Sequence, residues 1–225
     1  MVKLYFSDMS FDSFTKELKD VLQRPLPGHE AQLLMGSDFY RNLKTDPSKA
    51  TGYKKSAVCL LFYQKENKVH FLLIKRPDTH TYHAGQIALP GGSCDENETY
   101  REAALRELEE ETGIKITPQN VLGTLSPFYI PVTNFYIQPT VAFIKESFTL
   151  RESMEVERFI ELPLSELLDE SIVSETEVTM RAGLKTKTPY FNVQGLILWG
   201  ATAMILSEMK ELLKQNRSIF SSLFQ

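Results

Sequence analysis

Three glutamates, Glu107, Glu110 and Glu111, stand at positions i, i+3 and i+4 of a stretch with helical character. On a helix that spacing places them on one face within a single turn. Carboxylates held so close repel one another, and the helix carries no lysine that could neutralise them. A hard divalent cation supplies the missing charge: Mg²⁺ or Mn²⁺ takes oxygen ligands and commonly bridges protein carboxylates to substrate phosphates. A plainer reading, a solvated acidic face with an i,i+4 pair between Glu102 and Arg106, competes with it. The surrounding residues decide between the two.

The acidic helix is predicted over residues 100–112, opened by a capping box of Thr99 with Glu102 and closed by Gly113 at its C-terminal cap. Leu105 and Leu108 fall on a side that can face a core, with Ala104 nearer the acids. Just upstream, residues 86–89 read as a short strand that ends in Pro90–Gly91–Gly92, and residues 56–63 and 69–74 as a hairpin joined across 64–68. A helix over 11–22 is stopped by the Pro25–Gly28 stretch, and residues 37–54 read as a connecting loop. Strands are expected at 121–126 and 135–144, with Pro127 and Pro131 between them. A short strand at 157–162, a helix from Pro163 to 168 and a closing helix at 198–213 complete the pass; residues 171–193 show no assignable pattern. Strands interleaved with helices indicate an α/β or α+β chain with one mixed sheet.

The acidic segment has a fixed grammar. It reads Gly92, five residues, Glu98, seven residues, Arg106–Glu107–Leu108, one residue, Glu110–Glu111, one residue, Gly113–Ile114. Seven fixed residues at background frequencies of roughly 6% match by chance on the order of 10⁻⁹ per start position. The segment matches the signature of the Nudix hydrolases without exception, and the sequence resembles a member of that superfamily. The resemblance implies an α/β fold, a Nudix-type α/β/α sandwich around a mixed sheet. It also implies hydrolysis of a nucleoside diphosphate linked to another group, with Mg²⁺ or Mn²⁺ as cofactor.

By position, the Gly91 carbonyl, Glu107, Glu110 and Glu111 resemble the family's metal ligands, Glu98 and Arg106 the pair that braces the loop, and Gly92 and Gly113 its structural glycines. The chemistry agrees with that assignment: metal neutralises the anionic diphosphate and positions and acidifies the attacking water, and a neighbouring carboxylate takes its proton. Glu107 is one candidate base; Glu155, from a later loop, is the second.

Upstream, residues 72–76 and 83–92 resemble the coenzyme A pyrophosphatase branch, whose second signature keeps its spacing here from Arg76 through Gly85 to Pro90. Pro25–Leu26–Pro27–Gly28 with Ala31 and Gln32, and Trp199–Gly200–Ala201–Thr202–Ala203, are similar to that branch as well. The resemblance implies Arg76, His80, His83 and Gln86 as substrate-binding residues, with pairing of Arg76 to an acid of the glutamate segment and a turn cap by His83 as the structural alternatives. It also implies cleavage of coenzyme A into adenosine 3′,5′-bisphosphate and 4′-phosphopantetheine. Three positions depart from the branch, with Pro77, Thr81 and Leu89 where it has a small residue, an arginine and an aromatic. Thr81 removes a charge suited to an extra phosphate. ADP-ribose, NADH or another nucleoside diphosphate derivative is therefore the alternative substrate, and a non-catalytic ligand sensor the alternative from another class.

Composition supports the same placement. The net charge of −4 over 225 residues disfavours a nucleic-acid partner. Residues 92–114 alone carry −6 and the remainder +2, so the acidity belongs to one segment. The expected partner is the small nucleoside diphosphate substrate. Cys59 and Cys94 form no CxxC pair, the start lacks a secretory pattern, and the apolar run 195–206 is too short to span a bilayer. No GxxxxGK, GxGxxG, GxSxG or HExxH occurs. The expectation is one domain over 1–225 with a helical extension over 1–50, cytoplasmic, off the membrane, with a homodimer among the oligomeric states it allows.

Overall fold

Aromatic and aliphatic residues at helical spacing open the chain. In the computed structural model, which describes residues 9–43, 51–78, 84–179 and 183–224, helix α1 (Phe11–Val21) buries Phe11, Phe14, Leu18 and Val21 along one face. Ser10 caps it, its side chain accepting the Ser13 N–H at 3.2 Å. The chain then makes two short helices, α2 (Gly28–Leu33) and α3 (Asp38–Asn42). Helix α3 corrects the expectation of a loop over 37–54: Ser37 caps its start, and strand β1 (Lys54–Lys65) begins at the far end of that stretch.

β1 and β2 (Lys68–Lys75) form the expected hairpin, with a tighter turn than predicted. Only Glu66 and Asn67 lie between the strands, both at positive φ, as a two-residue turn requires. After β3 (Ile87–Ala88), β4 (Gly91–Ser93) and helix α4 (Tyr100–Thr112) come β5 (Val121–Thr124), β6 (Phe128–Ile130) and β7 (Phe135–Ile144). Strand β8 (Arg158–Pro163) and helix α5 (Leu164–Leu168) follow. The main sheet runs β3-β2-β1-β7-β5, with β4 on β1, β6 on β7 and β8 on β2. β1 and β7 pair in parallel and the other pairs are antiparallel, so the sheet is mixed.

Side-chain alternation along β1 builds two cores. Ala57, Cys59, Leu61 and Tyr63 pack with Ala103, Ala104 and Leu108 of α4. Leu60 and Phe62 turn the other way, toward Phe14 and Leu18 of α1 and the last helix, α6 (Gly200–Gln215). The central strand is therefore covered on both faces, and helices flank the sheet in an α/β/α sandwich. Among the described residues no helix is long and apolar enough to cross a membrane. The apolar run at 195–206 is divided between β11 (Leu196–Leu198) and the buried first half of α6.

Residues 171–193, unreadable in the sequence, supply most of a second sheet. β9 (Val173–Thr179), β10 (Lys185–Val193) and β11 pair antiparallel in the order β11-β10-β9. Phe191, Val193 and Leu198 anchor it in the α1–α6 core.

The Pro25–Gly28 stretch does more than stop a helix. Glu208 of α6 is fully buried and accepts three hydrogen bonds, from Gln32 Nε2 at 2.9 Å and from the Gly28 and Ser126 N–H groups at 3.2 Å each. Gln32 Nε2 also reaches the Ser126 carbonyl at 3.1 Å, and Ser207 Oγ donates to the Ala31 carbonyl at 2.7 Å. One carboxylate thus pins α2 and the 125–127 connection onto α6. Glu208→Leu leaves those donors without their acceptor and is expected to cost about 2–4 kcal/mol in urea unfolding. A loss below about 0.5 kcal/mol would show that the network holds nothing in place.

Candidate active site

Two glycines set the geometry at which the sheet meets α4. Gly91 lies against β1 so closely that a Cβ there would fall 2.3 Å from the Ala57 carbonyl oxygen. A Cβ on Gly92 would fall 2.4 Å from Glu107 Oε1, so the carboxylate as placed lies directly over the glycine backbone. The capping box forms as expected: Thr99 Oγ1 accepts the Glu102 N–H at 3.3 Å, and Glu102 Oε2 accepts the Thr99 N–H at 2.9 Å. Glu102 is therefore spent on the cap and does not pair with Arg106. Gly113 closes the helix at φ +77°, left-handed backbone that a side chain would strain. Ala103, Ala104 and Leu108 face the core, with Leu105 half-buried, and among them Glu111 is buried as well.

Arg106 supplies the neutralising charge that a search for lysine misses. Its Nε and Nη2 grip both oxygens of Glu98 at 2.9 and 3.0 Å, a bidentate pair. Nη1 donates to Glu107 Oε1 at 2.9 Å and to Glu110 Oε2 at 3.0 Å, and Nη2 also meets the Ser93 carbonyl at 3.0 Å. Glu98 Oε2 accepts the Asp95 N–H at 2.9 Å, fastening the loop before α4. The arginine hydrogen bond holds the Glu98 carboxyl below the usual range. Burial pushes Glu107 up, against Arg106, with Glu110 and Glu155 adding to the rise.

Glu111 has a different partner. Its side chain is 2% exposed; Oε2 accepts the Gly91 N–H at 2.9 Å and Oε1 accepts from Arg76 Nη2 at 3.1 Å. The same Nη2 donates to the Gly91 carbonyl at 3.1 Å. Burial raises the Glu111 carboxyl to about 7, although Arg76 and the Gly91 N–H pull it down. The charge of Glu155, on the exposed turn before β8, raises both Glu107 and Glu111, so this loop acts on the cluster.

The residues picked out by sequence thus gather at one place: Glu98, Arg106, Glu107, Glu110, Glu111, Gly91 and Gly92, with Arg76 against them and Glu155 acting through its field. The Arg76 N–H donates to the Gln86 carbonyl at 2.9 Å, which sets Gln86 beside the cluster. His80 and His83 lie outside the described residues, as does Thr81. A cleft of about 460 Å³ opens next to Gln86, walled by Ile87 on one side and by Val178, Leu196, Ile197 and Trp199 on the other. Of this far wall, Trp199 is signalled in the sequence by its likeness to the branch, whereas Val178, Leu196 and Ile197 belong to the second sheet and are not. The signal available was the run of β-formers in 173–179 and 185–193.

Among the described residues, no three carboxylate, imidazole or thiolate groups converge into a finished metal cage. Arg106 holds Glu107 and Glu110, while Arg76 holds Glu111. The donors nevertheless fit a hard divalent ion: all are oxygens, and a cationic nitrogen, Arg76 Nη2, already sits between two of them.

Residues 53–181 match the NUDIX domain family. The chain is 31% identical over 175 residues to an uncharacterized Nudix hydrolase NudL of Photorhabdus laumondii, covering 77% of this chain and 92% of that protein. It is likewise 31% identical to the protein of the same name in Cronobacter sakazakii, over 76% of this chain and 88% of the relative. In fold it is similar to a MutT/nudix family protein from Enterococcus faecalis, at a TM-score of 0.51 and 17% identity, covering 92% of this chain and 79% of the other.

The raised Glu111 carboxyl fixes a sign for stability. Its pKa lies at about 7 in the folded chain against 4.5 as the ordinary value, so the native state holds the proton more tightly. Its contribution is fully present below about pH 4.5 and is lost as pH rises to 7, leaving a penalty above. In chelator-treated protein Glu111→Gln should therefore stabilise by on the order of 2 kcal/mol more at pH 8 than at pH 4, read from urea midpoints. Equal effects at the two pH values would contradict the buried charge.

Proposed function

The chain belongs to the NUDIX family, whose members hydrolyse a diphosphate linkage in nucleoside diphosphate derivatives with divalent cations, and from that premise we propose that it cleaves coenzyme A or a close derivative. The products are adenosine 3′,5′-bisphosphate and 4′-phosphopantetheine. The observation that carries the catalytic part is the gathering of Glu107, Glu110, Glu111 and the Gly91 carbonyl around two arginines, with Arg106 braced by Glu98.

In this reading Glu107, Glu110, Glu111 and the Gly91 carbonyl hold Mg²⁺ or Mn²⁺. Such an ion would supply charge neutralisation at the diphosphate and would lower the pKa of the attacking water. Glu107 or Glu155 takes the proton from that water as its oxygen bonds to phosphorus; the bridging P–O bond breaks and its electrons leave on the departing phosphate. The helical framework and the Arg106 brace keep these groups in place, so little reorganisation accompanies the step. Arg76 and Gln86, with His80 and His83, receive the substrate, and the cleft between Ile87 and Trp199 takes one of its arms. The free thiols of Cys59 and Cys94 fit the cytoplasmic placement of this reading.

Support for coenzyme A comes from Arg76, Gly85 and Pro90 at the branch spacing and from the Gly28–Gln32 stretch that docks on α6. The uncharged Thr81 favours the second reading, ADP-ribose or a dinucleotide such as NADH.

Incubating the pure protein with Mg²⁺ or Mn²⁺ and coenzyme A, ADP-ribose and NADH, then identifying products by mass, separates these. Coenzyme A is expected to give its two halves, and Glu111→Gln to lose about 10³-fold or more in kcat. ADP-ribose cut while coenzyme A survives would transfer the assignment to the second reading. Absence of cleavage throughout would leave a ligand sensor. Thr81→Arg should raise the kcat/KM for coenzyme A relative to ADP-ribose, and an unchanged ratio would mean position 81 does not read the extra phosphate.

A further inference from the structure

Arg76 stands where two expectations meet. Its place in the upstream signature points it at the substrate, whereas its guanidinium rests on the cluster. A single nitrogen, Nη2, lies 3.1 Å from the Gly91 carbonyl oxygen and 3.1 Å from Glu111 Oε1. Those are two of the oxygens assigned above to the divalent ion. The Gly91 N–H fixes the other Glu111 oxygen at 2.9 Å, so the carboxylate is not free to turn and serve two cations.

Mg²⁺ coordinates oxygen at about 2.0–2.1 Å, well inside the arginine contact. Two cations on one pair of buried oxygens repel strongly, because little water screens them. That repulsion weakens the arginine contact, and Arg76 is the partner able to move: Glu111 is 2% exposed, whereas the Arg76 side chain is 26% exposed. Its backbone is tied to Gln86 at 2.9 Å, which limits the movement to the guanidinium and keeps it beside the cleft. A guanidinium released there is matched in shape and charge to phosphate oxygens.

We infer that Arg76 is a displaceable counter-ion: it occupies the Gly91 and Glu111 oxygens in the metal-free protein, the incoming divalent ion drives it off, and it is thereby delivered to the diphosphate. This rests on the metal-dependent reading above. It makes Arg76 a group that opposes metal binding alone yet favours the diphosphate once metal is bound, so the two ligands promote one another. Arg76 also answers the cost of burying a carboxylate with no cation beside it.

The test reads binding, not turnover. Metal-free wild type, Arg76→Gln and Arg76→Lys are titrated with MnCl₂ by calorimetry at pH 8.5. Each Mn²⁺-loaded protein is then titrated, at constant Mn²⁺, with the methylene-bridged analogue of ADP. Arg76→Gln is expected to bind Mn²⁺ about three- to tenfold more tightly, and its loaded form to bind the analogue at least about tenfold more weakly. Opposite signs are the signature, because a merely structural arginine would weaken both. Arg76→Lys, which keeps the charge without the fork, should fall between on both axes and carries the test if the glutamine variant does not fold. Mn²⁺ binding that is unchanged or weaker in a folded Arg76→Gln overturns the inference and leaves the hydrolase reading standing. Wild type that binds no Mn²⁺ overturns both.

Discussion

Burying a carboxylate against a sheet is unfavourable unless donors and a cation are buried with it, and Glu111 is buried where β4 runs along β1. Much of the local architecture answers that one constraint. Gly91 lets the strand lie close enough for its N–H to reach the carboxylate, and Arg76 crosses from the end of β2 to supply charge. Even so, burial outweighs both partners and leaves the Glu111 carboxyl raised to about 7. A site this short of positive charge is poised to take a stronger cation. The arginine holds the place until one arrives.

Glu107 and Glu110 meet the same problem nearer the surface and solve it differently. Arg106 spreads five hydrogen bonds over Glu98, Glu107, Glu110 and the Ser93 carbonyl, so one guanidinium sets the loop, the helix face and two carboxylates together. Lysine could not do this, having a point charge and no planar fork. The eight acids of residues 92–114 are therefore partly answered from inside the segment, by Arg106, and partly from outside it, by Arg76.

Sequence revealed the parts whose rules are local. The Thr99–Glu102 box and Gly113 fix the ends of α4 by backbone chemistry that three or four residues determine. The glutamate spacing puts the carboxylates on one turn for the same reason. What stayed hidden depends on contacts distant in the chain. Arg76 and Glu111 are 35 positions apart, so the sequence offers Arg76 as a partner for an acid of the glutamate segment without saying which one. The Gly28–Gln32 stretch reads as a helix stop until Glu208, on the last helix, is placed against it. The second sheet escaped because β9 alternates between exposed and half-buried residues, so its pattern carries little apolar contrast. With it went the strand part of the cleft's far wall, Val178, Leu196 and the half-exposed Ile197, so that the upstream signature, Trp199 and the glutamates were legible while that wall was not.

The central claim is that these oxygens form a divalent-cation site from which Arg76 withdraws. Anomalous diffraction at the manganese edge from crystals soaked in Mn²⁺ tests it most directly. The account predicts a peak bounded by Glu107, Glu110, Glu111 and the Gly91 carbonyl, with the Arg76 guanidinium no longer between Gly91 and Glu111. Manganese bound elsewhere, or at this site with Arg76 still in contact with both oxygens, would contradict it.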